Sequence, residues 1–296
     1  MQVFLSAHPS VSFLPEINLV RRFLLNNKFN SIQIDEGSAG VLKQLNADAK
    51  LSRLSHSWEE IIRQTGTCDD FSKGLFQELV NTHATPETEY VGYKDALLIQ
   101  EPEKILNFWP DSRIVHIFRD PRDVLASRKK ADWSKHYSDK RNLVAGLIQL
   151  EIIERCKKAG LASKIIDVKY EKLLQEPEES ARALCEFLQL EYSNNMLNFN
   201  QNADELVFAD EMQWKKNLFS PLLKGNSGKW QKELSPQEIA LVESSYGNEM
   251  RRLSYESSKA YDSLSLPQKM LIWPQLLWLR AVKFGYLAKR KWLEAK

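Results

Sequence analysis

Apolar residues recur along this chain with two different periods. Residues 90–94, 113–118 and 164–170 are short runs rich in β-branched and aromatic side chains, and residues 31–35 form a weaker fourth run. Helical spacing fills the intervals, over 102–109 before the second strand and over 121–130 and 142–158 before the third. Residues 178–190 place Ala181, Leu184, Cys185 and Leu188 at i, i+3, i+4 and i+7, the stripe of a packed helix. A further helix is predicted over 17–25, opened by Pro15-Glu16. Beyond Ser193 the pattern reads as helical over 204–218, 236–253 and 267–292, with Pro274 breaking the last so that only 275–292 is continuous. Strands alternating with helices predict an α/β fold, a parallel sheet flanked by helices with a helical C-terminal part.

A chain of 296 residues makes one large domain or two small ones, and 43% hydrophobic with 27% charged residues is an ordinary globular balance. The net charge of +2 is too even for a general nucleic-acid binder, so no nucleic-acid partner is predicted. Seven basic residues and one acidic one fall in 266–296, giving that segment +6 and leaving the rest at −4. The expected division is therefore a main domain over 1–265 and a basic, Trp-rich helix over 266–296. Trp273, Trp278 and Trp292, interleaved with Arg280, Lys283, Lys289, Arg290 and Lys291, leave two readings open. The helix packs on the acidic body, or residues 275–292 lie against an anionic membrane. No run reaches the ~20 apolar residues of a membrane span. Cys68, Cys156 and Cys185 are odd in number and widely separated, which predicts no disulfide framework or zinc site and a reducing, cytoplasmic compartment. His116, within an apolar run, reads as a satisfied strand residue.

The most informative stretch is Arg119-Asp-Pro-Arg-Asp-Val-Leu-Ala-Ser127, directly after an apolar strand. Asp120 is a good N-cap and Pro121 suits the first helical position. The Arg119 guanidinium, the helix N–H groups and the Ser127 hydroxyl are together suited to a phosphate dianion. The plainer reading is a capped strand-to-helix turn with a surface arginine. This run resembles the 3′-phosphate motif of the sulfotransferases, which use adenosine 3′-phosphate 5′-phosphosulfate (PAPS) as donor. Three other segments follow the family's order. Val168-Lys-Tyr170-Glu-Lys-Leu resembles a strand whose tyrosine lies near the nucleotide. Lys224-Gly225-Asn-Ser-Gly-Lys-Trp230 resembles the segment that closes over the 3′-phosphate, with Leu223 where an arginine often stands. Lys94, in Tyr93-Lys-Asp95, sits where the family carries its catalytic lysine.

The resemblance implies a P-loop NTPase-like sulfotransferase fold, PAPS as co-substrate and no metal. It assigns Lys94 to the transferring sulfuryl group, and Arg119, Ser127, Tyr170, Lys224 and Gly225 to the nucleotide. The general base is open. Members acting on carbohydrate and tyrosine acceptors use a glutamate shortly after a His-Pro pair, and Glu16 follows His8-Pro9 in that way. Closure in a pocket is expected to raise its pKa; Asp95 is next in line. The family's glycine-rich phosphosulfate loop is not found, since the first glycine is Gly37 and Gly37-Ser-Ala-Gly40 reads as a plain loop. The expectation is a chain whose first strand and donor loop are missing ahead of Met1. Three functions stay open: sulfuryl transfer to a hydroxyl acceptor, a non-catalytic nucleotide-binding remnant, and a P-loop nucleotide kinase.

Overall fold

The computed structural model describes residues 1–54, 56–66, 70–131, 134, 136–208, 211–212, 215–223 and 225–294. Cys68 and Lys224 lie outside the described residues. The chain folds as two compact units, Met1–Ile114 with Glu176–Leu222, and Val115–Gln175 with Leu223–Lys296.

The first unit begins with helix α1 (Gln2–Ser6) and strand β1 (Val11–Phe13). Helices α2 (Lys28–Ala47), α3 (Trp58–Thr65) and α4 (Phe71–Asn81) then intervene before strand β2 (Tyr90–Gly92) and helix α5 (Pro102–Phe108). Strand β2 pairs parallel with β1, Val11 opposite Tyr90 and Phe13 opposite Gly92. Gly92 is required there, because a Cβ would fall inside the Phe13 ring. The intervening helices close over a core that includes Phe23, Phe29, Leu45, Leu75 and Leu79, with Phe23 and Phe29 stacked at 4.6 Å between centroids. His8 is buried and structural. Its Nδ1 accepts the Ser10 N–H at 3.1 Å, so Nε2 is the donor to the Glu191 carbonyl at 2.7 Å.

The second unit contains β3 (Ile114–Phe118), most of which belongs to it, α6 (Pro121–Lys130), α7 (Asp139–Cys156), β4 (Ile165–Lys169) and α8 (Tyr170–Gln175). Strand β3 pairs with β4. His116 is buried on β3 and lies 2.8 Å from Asp167 on β4. Burial pushes the Asp167 carboxyl up, but hydrogen bonds from His116 and Lys157 outweigh it and hold the pKa at about 2. Helices α9 (Pro177–Leu188), α10 (Trp230–Glu233), α11 (Pro236–Arg252) and α12 (Leu266–Glu294) complete the chain, α9 in the first unit and the others in the second. The predicted parallel sheet is present as these two strand pairs, in a chain that is mostly helical.

Several local expectations are corrected. Residues 31–35 are helical, not a strand, because Phe29, Ile32, Val41 and Leu45 turn inward at helical spacing while Ile34 is 84% exposed. Gly37 to Gly40 is no loop but the kinked middle of α2. The helix expected over 17–25 shrinks to a single π-turn, Val20–Leu24, because Ile17 and Leu19 are taken into the core before it starts. In the helix expected over 204–218, residues 209, 210, 213 and 214 lie outside the described residues, and the described ones include 3₁₀ segments, Asn194–Leu206 and Lys216–Phe219, in place of an α-helix. Pro274 does not end α12, which continues through it. The carbonyl that the missing Pro274 N–H leaves without a helical partner is that of Met270, an exposed residue.

These assignments separate Ile32 from Ile34. Ile32→Ala is expected to cost about 2–4 kcal/mol in urea unfolding, as a buried large-to-small change. Ile34→Ala should shift the midpoint hardly at all. Equal losses at the two positions would restore the strand.

Candidate active site

In the first unit, the register of β1 on β2 delivers Glu16 and Lys94 to the same edge. Both follow the carboxyl ends of paired strands, and the Leu14 N–H still bonds the Gly92 carbonyl at 3.0 Å. The Lys94 ammonium lies 2.6 Å from Glu16 Oε2. Tyr93 fixes the segment that carries Glu16: its hydroxyl donates to the Ile17 carbonyl and accepts the Val20 N–H at 3.3 Å. Burial pushes the Tyr93 phenol well above its ordinary pKa, so it remains a neutral clamp.

Two further lysines converge on this edge. Lys215 Nζ is 3.0 Å from Glu16 Oε2 and 2.6 Å from Glu211 Oε2. Lys50 Nζ donates to the Glu16 carbonyl at 3.3 Å and lies 3.9 Å from Glu211 Oε1. Among the described residues, three lysines thus face two carboxylates, a surplus of one positive charge. Burial alone would raise the Glu16 pKa, but Lys94 and the hydrogen bonds from Lys94 and Lys215 hold it below the usual carboxylate value. This reverses the expected direction: the carboxylate is closed in with cations, not with apolar groups. Burial also works against the charge on Lys215, yet its hydrogen bonds to Glu211 and Glu16 raise its pKa.

Glu16 is not a helix-opening acid, since the π-turn starts at Val20 and has no acidic residue in its first turn. Asp95 is committed elsewhere. It takes the Arg21 guanidinium at 3.0 Å and caps the Leu97 N–H at 2.9 Å.

In the second unit, the run 119–123 assigns a separate task to each charged side chain. Asp120 caps α6 by accepting the Arg122 N–H at 2.9 Å. Arg122 is buried, paired with Asp120 and Glu243 at 2.7 Å each and set against the Trp230 ring. Asp123 is 1% exposed and accepts the N–H groups of Gly228 at 2.7 Å and Trp230 at 3.0 Å. Gly228 adopts φ 72°, the left-handed conformation that glycine takes without strain. Asp123 therefore clamps the 225–230 segment to the start of α6.

Arg119 also reaches Asp123, its Nη2 lying 3.6 Å from Oδ2. Its guanidinium lies over the Tyr170 ring at 4.9 Å and donates from Nη2 to the Asn226 carbonyl at 2.8 Å. The Asn226 amide in turn donates to the Tyr170 hydroxyl at 2.7 Å. Arg119 Nε is buried without a hydrogen-bond partner among the described residues. A donor in that condition suits an anion, and a phosphate oxygen satisfies it. Gly225 is exposed at the start of this segment, and Ser127 is exposed one turn beyond Asp123 on the same face of α6. Arg119, Tyr170 and the 225–230 segment are thus brought together, as are Glu16 and Lys94.

Sequence reasoning passed over Lys50, Tyr93, Asp123, Glu211, Lys215 and Asn226. Glu211 and Lys215 carried a usable signal in their i, i+4 spacing. Asp123, Asn226 and Tyr93 lay inside the quoted motifs without a role. Among the described residues, no group of three or more His, Cys, Asp or Glu side chains is placed to hold a metal ion.

Residues 1–194 match the model of the sulfotransferase family. A Caenorhabditis briggsae protein named "Putative protein-tyrosine sulfotransferase" is 30% identical over 102 residues, 33% of this chain. That match spans 36% of the relative, so the chain corresponds to about a third of it. Among solved structures, the sulfotransferase domain from the curacin biosynthetic pathway superposes with a TM-score of 0.51 at 18% identity, covering 86% of this chain and 92% of that one. The sulfotransferase domain from the Synechococcus PCC 7002 olefin synthase gives 0.50 at 14% identity, covering 82% and 88%. At such identities the structures speak for the fold alone. With the family model covering well over half of its length, the chain belongs to the sulfotransferase family.

Proposed function

We propose that the protein transfers a sulfuryl group from PAPS to a hydroxyl acceptor, leaving adenosine 3′,5′-bisphosphate. The observation that carries this reading is the Lys94–Glu16 pair, 2.6 Å apart at the shared edge of two parallel strands. Sulfuryl transfer asks little covalent chemistry of a protein. It needs positive charge where the leaving phosphate oxygen becomes anionic, and a base for the acceptor proton. When bound, PAPS supplies the sulfuryl group and that leaving oxygen.

In this reading Lys94 stabilises the developing charge and Glu16 takes the proton from the acceptor oxygen. Glu16 is a poor base while Lys94 and Lys215 hold it. An anion that draws Lys94 away removes part of that restraint, so the carboxylate gains basicity as the donor arrives. The orphaned Nε supports Arg119 as the 3′-phosphate ligand, with Tyr170, Gly225, Ser127 and Lys224 as its companions. The C. briggsae relative's name makes a peptide tyrosine the first acceptor to try. Cytoplasmic residence is part of the proposal, supported by three cysteines, odd in number and widely separated along the sequence.

Three outcomes are expected. In calorimetry with adenosine 3′,5′-bisphosphate, Arg119→Ala should weaken binding by about 10–100-fold, the loss of a charge-assisted hydrogen bond. Unchanged affinity would remove Arg119 from the nucleotide site. In transfer of radiolabelled sulfate from PAPS by the full-length protein, Glu16→Gln should lower kcat by ~10²–10⁴ while nucleotide affinity stays near wild type. A normal kcat would pass the role of base to another residue. The third outcome concerns pH. Because the folded-state pKa of Glu16 is depressed, its ion pairs stabilise the fold above the unfolded value of 4.5 and lose that effect as pH falls through the folded value. The denaturation midpoint of Glu16→Gln should therefore lie below wild type at neutral pH and converge with it in acid; a constant gap would contradict the pairing.

A further inference from the structure

Helix α12 has two apolar faces, and the fold uses one. Ile272, Leu279 and Leu287 are buried where α12 packs on α7 and α11. Lys283 sits on that side too, 3.7 Å from Glu151 and 3.6 Å from Glu249. The opposite face carries Leu266, Met270, Trp273, Leu277 and Phe284 at steps of four, three, four and seven, with Trp278 beside them. Phe284 is 75% exposed, Met270 67% and Trp273 60%. An outward row of this size on a soluble body marks a docking surface.

Charge selects the occupant. No acidic residue occurs between Asp262 and Glu294, whereas Lys269, Arg280 and Lys289 border the exposed row. A second copy seated face to face would bring two +6 segments together. An anionic lipid surface complements them, accepts tryptophan at the headgroup level and takes the apolar row beneath it. No helix among the described residues is long and apolar enough to cross a membrane. Continuity through Pro274 matters here, since it keeps the 29 residues in one helix, ~43 Å of rise at 1.5 Å per residue. Pro274 lies on the outward side, where its missing N–H leaves no buried acceptor.

We propose that α12 lies flat on an anionic membrane surface, its Leu266–Phe284 row in the interface and Lys269, Arg280 and Lys289 among the headgroups. The −4 charge of the remaining chain disfavours the reverse orientation. This surface is independent of the transfer reaction, so its test needs no activity.

The experiment is co-sedimentation of the full chain with phosphatidylcholine vesicles, with and without ~30 mol% phosphatidylserine, at ionic strengths of about 0.02 M and 0.5 M. Binding should require phosphatidylserine and weaken at high salt. Trp273→Ser with Phe284→Ser, both exposed positions, should reduce the bound fraction at least ~10-fold with unchanged circular dichroism. Arg280→Glu with Lys289→Glu should abolish the preference for phosphatidylserine. The proposal is overturned if the intact chain stays in the supernatant at low salt, or if either double variant sediments like wild type. It is equally overturned if sedimentation velocity finds a dimer that Trp273→Ser with Phe284→Ser dissolves, which would assign the face to a second copy.

Discussion

The parallel register of β1 on β2 is the constraint on which the candidate active site rests. Each strand is only three residues long, yet the pairing fixes where the chain leaves the sheet. With Phe13 opposite Gly92, the segments carrying Glu16 and Lys94 emerge together. A one-residue slip would turn every side chain to the other face and separate the pair. Gly92 holds the register sterically, since the Phe13 ring occupies the space of a Cβ. Tyr93 then pins the following turn by two hydrogen bonds to backbone.

The electrostatics of that edge differ from those of a carboxylate hidden among apolar groups. Glu16 is enclosed with cations, so its basicity is suppressed rather than raised. The arrangement holds Glu16 in ion pairs with Lys94 and Lys215. Lys50, Lys215 and Glu211 extend it into a cluster with spare positive charge among the described residues, in which Glu211 N–H bonds the Phe208 carbonyl at 2.8 Å and Lys215 N–H the Glu211 carbonyl at 3.1 Å.

The second unit shows how one short run organises a candidate anion site. Of five consecutive residues, Asp120 and Pro121 start the helix, and Arg122 joins α6 to α11 through Glu243. Asp123 ties down the 225–230 segment, which leaves Arg119 with a donor to spare. The second arginine of the run is therefore scaffold, although its sequence context is the same as that of the first. Burial separates them: Arg122 is 4% exposed and its charge is balanced by two carboxylates.

The sequence by itself determined the strands β2, β3 and β4 and most of the long helices. These are local signals, because apolar period, caps and turn residues act within a few positions of one another. It misjudged residues 31–35, where a short apolar run fits strand or helix alike and only packing of Phe29 and Ile32 against the core decides. It misjudged Pro274, because a proline on the outward face of a packed helix leaves no buried acceptor unpaired. The partners of Glu16 lie 34 to 199 positions away, at Lys50, Lys94 and Lys215, and no local pattern records such distances. Its pKa, the burial of Arg122 against the unsatisfied Nε of Arg119, and the outward row of α12 were decided by the tertiary structure alone. Each depends on which long-range neighbours remove water from a group, and that is a property of packing rather than of sequence spacing.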